Sequence, residues 1–413
     1  MRVNGIHRRS ITLSNDRAGI EVIDQRDLPH ALSIVTLRTA ADVACAIREM
    51  CVRGAPLIGA AAAYGLCFAL REDASEAGIE DACRMLLATR PTAVNLRWAL
   101  DQMRETLFAV PAKERFETGW RRAQAICDED VAINLAIGKH GLELLRSLFA
   151  RKNAGRLNVL THCNAGWIAT VDWGTALSPI YMAHDAGMPI HVWVDETRPR
   201  NQGALTAWEL GQHGVPHTVV VDNAGGHLMQ RALVDMCIVG ADRVTARGDV
   251  CNKIGTYLKA LAARDNGVPF YVALPHPTID WTLDEGVGSI PIEERDPDEV
   301  YAVHGAVSHV DPAGPVLPQI DPAGPVPPQI DPAGPVPPGL HAEGSRSRRG
   351  SVRPYPAATR AANYAFDITP AKLITGLVTE RGIAPASREG LASLYPERSK
   401  DRLQTHGADG RLT

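Results

Sequence analysis

The chain has no continuous apolar run long enough to cross a bilayer, and its N-terminus, MRVNGIHRRSITLSNDRAGI, carries basic residues without the apolar core of a signal peptide. A membrane partner is therefore not expected, and the cytoplasm is the expected location. Strong net charge is missing too. With 43 Lys and Arg against 47 Asp and Glu, a net charge of -4, the chain has no general electrostatic reason to bind nucleic acid or an anionic surface. The third absence is cysteine pairing. Cysteines at 45, 51, 67, 83, 127, 163, 237 and 251 lie far apart with no Cys-x-x-Cys, which argues against a zinc knuckle or a disulfide framework and for reduced thiols. Six of the eight sit among apolar or small residues and read as core packing.

What is present is ordinary globular material: 413 residues, 45% hydrophobic and 22% charged, enough for a sizeable core and long enough for two domains. The first part reads as helical. ADVACAIREMCV, DACRMLLATR and LRWALDQMRETLFAV place apolar residues at three-to-four spacing, and DEDVAINLAIGKHGLELL continues the pattern. From about residue 156 short β-branched runs alternate with helical segments: LNVLTH, PIHVWVDE, PHTVVVDN, MCIVGAD and VPFYVALP. That alternation implies an α/β fold, a small mainly helical N-terminal domain (1–125) followed by a larger doubly wound, Rossmann-like parallel-sheet domain (126–398). Within it, residues 305–360 read as a proline-rich disordered insertion carrying three decapeptide copies from Val310 to Gly339, and residues 399–413 as a flexible tail.

Doubly wound sheets bind ligands beyond the carboxyl ends of their strands, and polar residues collect there: Cys163, Asp195 with Glu196, Asp222 with Asn223, Asp242, and Pro275 with His276. Ahead of them, Arg53-Gly54-Ala55-Pro56 precedes an alanine-rich helix, an order that suits either an anion at a helix start or close helix packing. Arg90-Pro91-Thr92 offers a second arginine at a helix start. Cys163, in LNVLTHCNAGWIAT, stands where an apolar run gives way to turn formers. It can be a buried thiol, half of a metal site, a nucleophile with a histidine partner, or a polar group at a pocket mouth.

Taken in order, DQRDLP, VRGAPLIGAAAAYG, RPTAVNLRWAL, THCNAG, DETRPRNQG with LTAWEL, VDNAGG, VGADRVTARGDVCNKIGTY, PFYVALP, IPIEER and FDITPAKLITGLVTERG form one series. The series resembles methylthioribose-1-phosphate isomerases, the aldose-ketose isomerases of methionine salvage. Their superfamily includes noncatalytic regulatory subunits of the exchange factor for translation initiation factor two. The resemblance implies that Cys163 and Asp242 form the catalytic pair, with Asp242 as proton donor. It implies that Arg53, Gly54, Ala55 and Arg90 contact the substrate around its phosphate, and that Gln202, Asn252 and Lys253 bind substrate as well. It also implies a homodimer and neither metal nor organic cofactor. An isomerase of 5-deoxyribose 1-phosphate or of ribose 1,5-bisphosphate is the alternative within enzymes, and a regulatory protein the alternative outside them. Asp195, Glu196 and Asp222 are expected as supporting acids or partners for Arg198 and Arg243. His162, next to Cys163 on an extended strand, should face the other way, which weakens the nucleophile-and-base reading; no ligand set shares the spacing of Cys163. A strand end followed by Asn164, Gly166 and a helix start favours a pocket role.

Overall fold

In the computed structural model, which describes residues 1–16, 18–152, 155–307 and 348–398, the chain opens with a two-residue-per-strand hairpin, Arg2–Val3 with Ile6–His7, followed by three short antiparallel strands, β1 (Ile11–Leu13), β2 (Ile20–Ile23) and β3 (Ile34–Leu37). Helices α1 (Ala40–Arg48), α2 (Ala55–Ala69), α3 (Glu76–Leu87) and α4 (Val94–Phe108) follow. The helices match the periodicity of the sequence. The small sheet is an addition to that reading, because strands of three and four residues are too short to carry a period.

Helix α5 (Ala112–Arg151) is 40 residues long and contains the expected domain boundary at 125/126. Its first half places Ala123, Ile126 and Cys127 in the core of the N-terminal region, and its second half places Ile137 and Leu145 against the sheet. Both regions belong to one compact unit, residues 1–294 with the chain from 364 onward. A second unit, 295–363, contains the antiparallel strand pair Val303–Val307 with Arg348–Val352. The three decapeptides and the 399–413 tail lie outside the described residues.

All five β-branched runs are strands: β4 (Leu157–Thr161), β5 (Ile190–Asp195), β6 (His217–Val220), β7 (Met236–Val239) and β10 (Phe270–Ala273). Together with β13 (Gly376–Thr379) and β14 (Gly382–Ala384) they form a seven-stranded sheet in the order β14-β13-β10-β7-β4-β5-β6, parallel throughout except for the edge strand β14. Period-two alternation divides the apolar residues between two faces. Val159, Val192, Val194 and Ile238 pack with Ile137, Ile180 and Leu210 of α5, α6 (Ser178–Asp185) and α7 (Gln202–His213). Leu160, Trp193, Cys237 and Val239 pack with Leu228 and Ala260 of α8 (Ala224–Gln230) and α9 (Thr256–Asp265) on the other face. Burying a leucine or valine on such a two-sided sheet stabilises by roughly 1.5–3 kcal/mol, so this alternation is what fixes the sheet between its helix layers.

From β4 the chain runs outward to β5 and β6, then returns to lay β7 on the opposite side of β4. The β4/β7 junction is therefore the point where strand order reverses. Beside it, β8 (Arg243–Thr245), β9 (Val250–Lys253), β11 (Ile279–Asp280) and β12 (Phe366–Thr369) form a smaller sheet in the order β11-β8-β9-β12.

Candidate functional site

Cys163 follows β4 and Asp242 follows β7, so the reversal point brings both to the same carboxyl edge. There they line one cavity of about 120 Å³ together with Arg53, Gly54, Ala55, Arg90, Gln202, Asn252 and Lys253. Every residue assigned to the site from the sequence is thus in one place, drawn from both the helical region and the sheet.

Three helices start at this cavity. None of α2, α4 or α7 has a side-chain cap, and Gly54, Ala55, Pro56, Ala93 and Gln202 from their first turns are lining residues. At α2 and α4 the uncapped starts present orphan N–H groups and positive dipole ends, which suit an anion, whereas at α7 the Gly203 and Ala204 N–H groups already donate to the Glu196 and Asn201 carbonyls. Cationic side chains add to this. The Arg90 Nε is buried without a partner, and its guanidinium reaches Glu293 Oε2 only at 3.4 Å. Lys253 Nζ donates to the Ala365 carbonyl at 2.7 Å and lies 4.6 Å from the Phe366 ring centre.

The backbone at Cys163 is left-handed, with φ 68°, an uncommon conformation for a residue with a Cβ. The Cys163 N–H donates to Thr197 Oγ1 at 2.9 Å, and the Thr206 hydroxyl donates to the Cys163 carbonyl at 2.8 Å. These bonds hold the turn that aims the thiol into the cavity. Burial pushes the Cys163 thiol up to about 11, opposed by Lys253 and raised further by Asp242. Burial also raises the Asp242 carboxyl, against Lys253 and Arg90 and with help from Glu293. Asp242 therefore keeps its proton further toward neutral pH than an ordinary carboxyl does.

His162 turns away from Cys163, as strand geometry requires: its Nδ1 is 3.0 Å from Asp195 Oδ2 and its Nε2 2.8 Å from the Ile254 carbonyl. His162, Asp195 and Asp222 cluster closely enough to suggest a cation site. The cation there is Lys259, whose Nζ lies 3.3 Å from Asp195 Oδ2 and donates to the Asp222 carbonyl. This corrects the expected pairing of the acids with Arg243. Asp195 is sealed against His162 and Lys259, Asp222 accepts the Thr197 and Arg198 N–H groups at 2.6 and 2.9 Å, and Arg243 turns to Thr92 O at 2.7 Å and Asp280 at 3.7 Å. The six cysteines at 51, 67, 83, 127, 237 and 251 are buried, Cys45 is exposed, and all eight are free.

The model of the initiation factor 2 subunit family matches residues 51–386. The methylthioribose-1-phosphate isomerase of Rhodospirillum rubrum is 55% identical, with 100% of this chain and 97% of its own covered. The chain belongs to the methylthioribose-1-phosphate isomerases of that family. Among solved structures, 5-methylthioribose 1-phosphate isomerase from Pyrococcus horikoshii matches with a TM-score of 0.73 at 35% identity, over 94% of this chain and 96% of its own. The translation initiation factor eIF-2B subunit delta from A. fulgidus matches with a TM-score of 0.69 at 33% identity, over 94% of this chain and 100% of its own. The fold is thus shared with a protein of another description.

The cavity also holds Gln25, to which the sequence gives no role. Gln25 donates through Nε2 to the Ile168 carbonyl at 2.6 Å, while its buried Oε1 has no donor; the Oε1 of Gln202 is likewise buried and unpartnered. Gln25 lies in DQRDLP, so it is part of the motif series, but nothing in its local sequence marks it as lining the site.

Proposed function

We propose that the protein converts 5-methylthioribose 1-phosphate to 5-methylthioribulose 1-phosphate. The observation that carries this reading is the meeting of a half-buried acid and a half-buried thiol, Asp242 and Cys163, with an anion cradle of helix starts in one cavity at the sheet's reversal point. The cradle with Arg53 and Arg90 suits the phosphate, and the unpartnered oxygens of Gln25 and Gln202 suit hydroxyl donors of a sugar.

The substrate's anomeric oxygen carries phosphate, so the ring cannot open to a free aldehyde. Protonated Asp242 gives its proton to the ring oxygen as the bond from that oxygen to C1 breaks. Hydrogen then moves from C2 to C1, and the C2 hydroxyl gives up its proton as the ketone forms; the Asp242 carboxylate can take that proton back, which closes the balance. A thiol held near 11 is almost wholly neutral at pH 7, which disfavours Cys163 as the base of an enediol route and favours a direct hydride shift in which Cys163 shapes and shields the pocket.

Turnover in deuterated water tests the reading. Ketose without solvent deuterium at C1 is expected; deuterium at C1 refutes the hydride route, and no ketose refutes the isomerase reading. Turnover of 5-deoxyribose 1-phosphate or ribose 1,5-bisphosphate in preference moves the assignment to those sugars. A cytoplasmic homodimer in methionine salvage completes the proposal and rests on the family resemblance; light scattering of the purified protein tests the dimer. No helix among the described residues is long and apolar enough to cross a membrane.

A further inference from the structure

Behind the turn that carries Cys163 and Asn164 lies a fully buried carboxylate, Glu209 on α7. Gly166 makes room for it, since a Cβ there would come within 2.6 Å of the Glu209 carboxyl carbon. Glu209 Oε1 accepts from Asn164 Nδ2 at 2.7 Å, and Oε2 accepts from the Trp167 N–H at 2.7 Å and the Tyr181 hydroxyl at 2.9 Å. Asn164 Nδ2 also donates to Thr206 Oγ1 at 3.2 Å, whose own proton goes to the Cys163 carbonyl. Both protons of the Asn164 amide are therefore committed to the protein. The amide is planar, so Oδ1 points away from Glu209 and Thr206. It accepts from no donor among the described residues, and Asn164 lines the cavity.

We infer that Asn164 offers its carbonyl oxygen to the cavity as a fixed acceptor for a substrate hydroxyl, and that Glu209 is the positioning residue that sets this polarity. The inference rests on reading the cavity as a sugar-phosphate site. A ring hydroxyl can donate to this oxygen and a phosphate dianion cannot, so the pair contributes to recognition of the sugar and not to the grip on the anion.

The experiment uses the full chain at pH 8, above the value of about 7 to which burial raises Glu209. In Glu209→Gln the amide oxygen has to stay on the Trp167 N–H, which cannot turn, so the new NH2 group faces Asn164. Asn164 then rotates and presents its own NH2 group to the cavity. The expected result is a fall in kcat/KM of roughly tenfold to a hundredfold with affinity for inorganic phosphate unchanged. Asn164→Ala, which leaves Glu209 in place, is expected to lose a similar factor and guards against misfolding of the first variant. The exchange Glu209→Gln with Asn164→Asp restores a donor facing an acceptor and keeps an acceptor toward the cavity, and is expected to recover about tenfold over Glu209→Gln alone. Three outcomes overturn the inference: kcat/KM within twofold of the unaltered protein in Asn164→Ala, equal losses of phosphate affinity and kcat/KM in Glu209→Gln, or an exchange no better than the single change. Absence of turnover by the unaltered protein refutes the isomerase reading itself, whereas a normal unaltered protein with a fully active Glu209→Gln refutes only this inference.

Discussion

Replacing Gly54 by alanine isolates the geometry of the anion cradle from its charges. Gly54 sits at the start of α2 with φ 94° and ψ 130°, a conformation costly to any residue with a Cβ, by about 1–3 kcal/mol. A Cβ there would also lie 2.6 Å from the Ala169 carbonyl carbon and nearer still to its oxygen. That neighbour is backbone, so no side chain can swing aside; α2 or the turn Trp167–Ala169 has to move, at a further cost of about 1–3 kcal/mol. The sum is about 2–6 kcal/mol, and at roughly 2–4 °C per kcal/mol the melting temperature should fall by about 4–24 °C. Moving the first turn of α2 also takes the Ala55 backbone away from the anion. Calorimetric unfolding with titration of inorganic phosphate should therefore show both losses together. A Gly54→Ala protein melting within about 2 °C of the unaltered one, with phosphate affinity unchanged, would refute the reasoning.

Other perturbations separate charge, protonation and stability. Arg53→Ala and Arg90→Ala should each weaken substrate binding about tenfold or more, and Arg53→Lys should recover only part, because a lysine lacks the planar fork; unchanged KM in both alanine variants contradicts the cradle. On the proposed route Asp242 acts in its protonated form, and burial raises its carboxyl, so kcat/KM should fall as pH rises through the raised value. Glu293 contributes to that rise, so Glu293→Gln should move the alkaline limb to lower pH; a limb that stays in place argues against Asp242 as the acid. Asp130, buried on α5, is raised by burial from 3.8 to about 7, so the native state binds the proton more tightly than the unfolded chain does. Its contribution to stability is present below about pH 4 and lost as pH rises to about 7. Asp130→Asn should then raise the melting temperature at pH 8 more than at pH 5, by a stability difference of roughly 2–4 kcal/mol, provided the Val171 N–H keeps an acceptor; equal shifts at both pH values contradict this.

How much of this was legible in the sequence depends on the range of the interaction. The five β-branched runs and the long amphipathic segments carry their period locally, so the strands, the helices and the parallel sheet follow from them. The residues proposed for catalysis and phosphate binding lie in motifs at strand ends and helix starts, which is why the sequence points to one cavity for them, and the sheet reversal that brings Cys163 near Asp242 is implied once the fold class is known. Contacts between distant segments were not legible. That Asp195 pairs with Lys259 rather than an arginine is set by how α9 packs on the sheet, and nothing near residue 195 records it. Gln25 and Glu209 reach the site from 138 and 46 residues away from Cys163 in the chain (163 − 25 and 209 − 163), so only tertiary packing shows what they face. The proposed boundary at 125/126 falls inside α5, one continuous helix whose two halves serve different cores.

The most direct test of the central claim follows conversion of 5-methylthioribose 1-phosphate by NMR, comparing the unaltered protein with Asp242→Asn. The claim is that a protonated, half-buried Asp242 opens the ring of a sugar phosphate held beside Cys163. It predicts that the unaltered protein forms the ketose and that Asp242→Asn, with its fold and phosphate affinity intact, is slower by roughly a hundredfold to ten-thousandfold. An Asp242→Asn protein that forms the ketose at the normal rate would contradict the account.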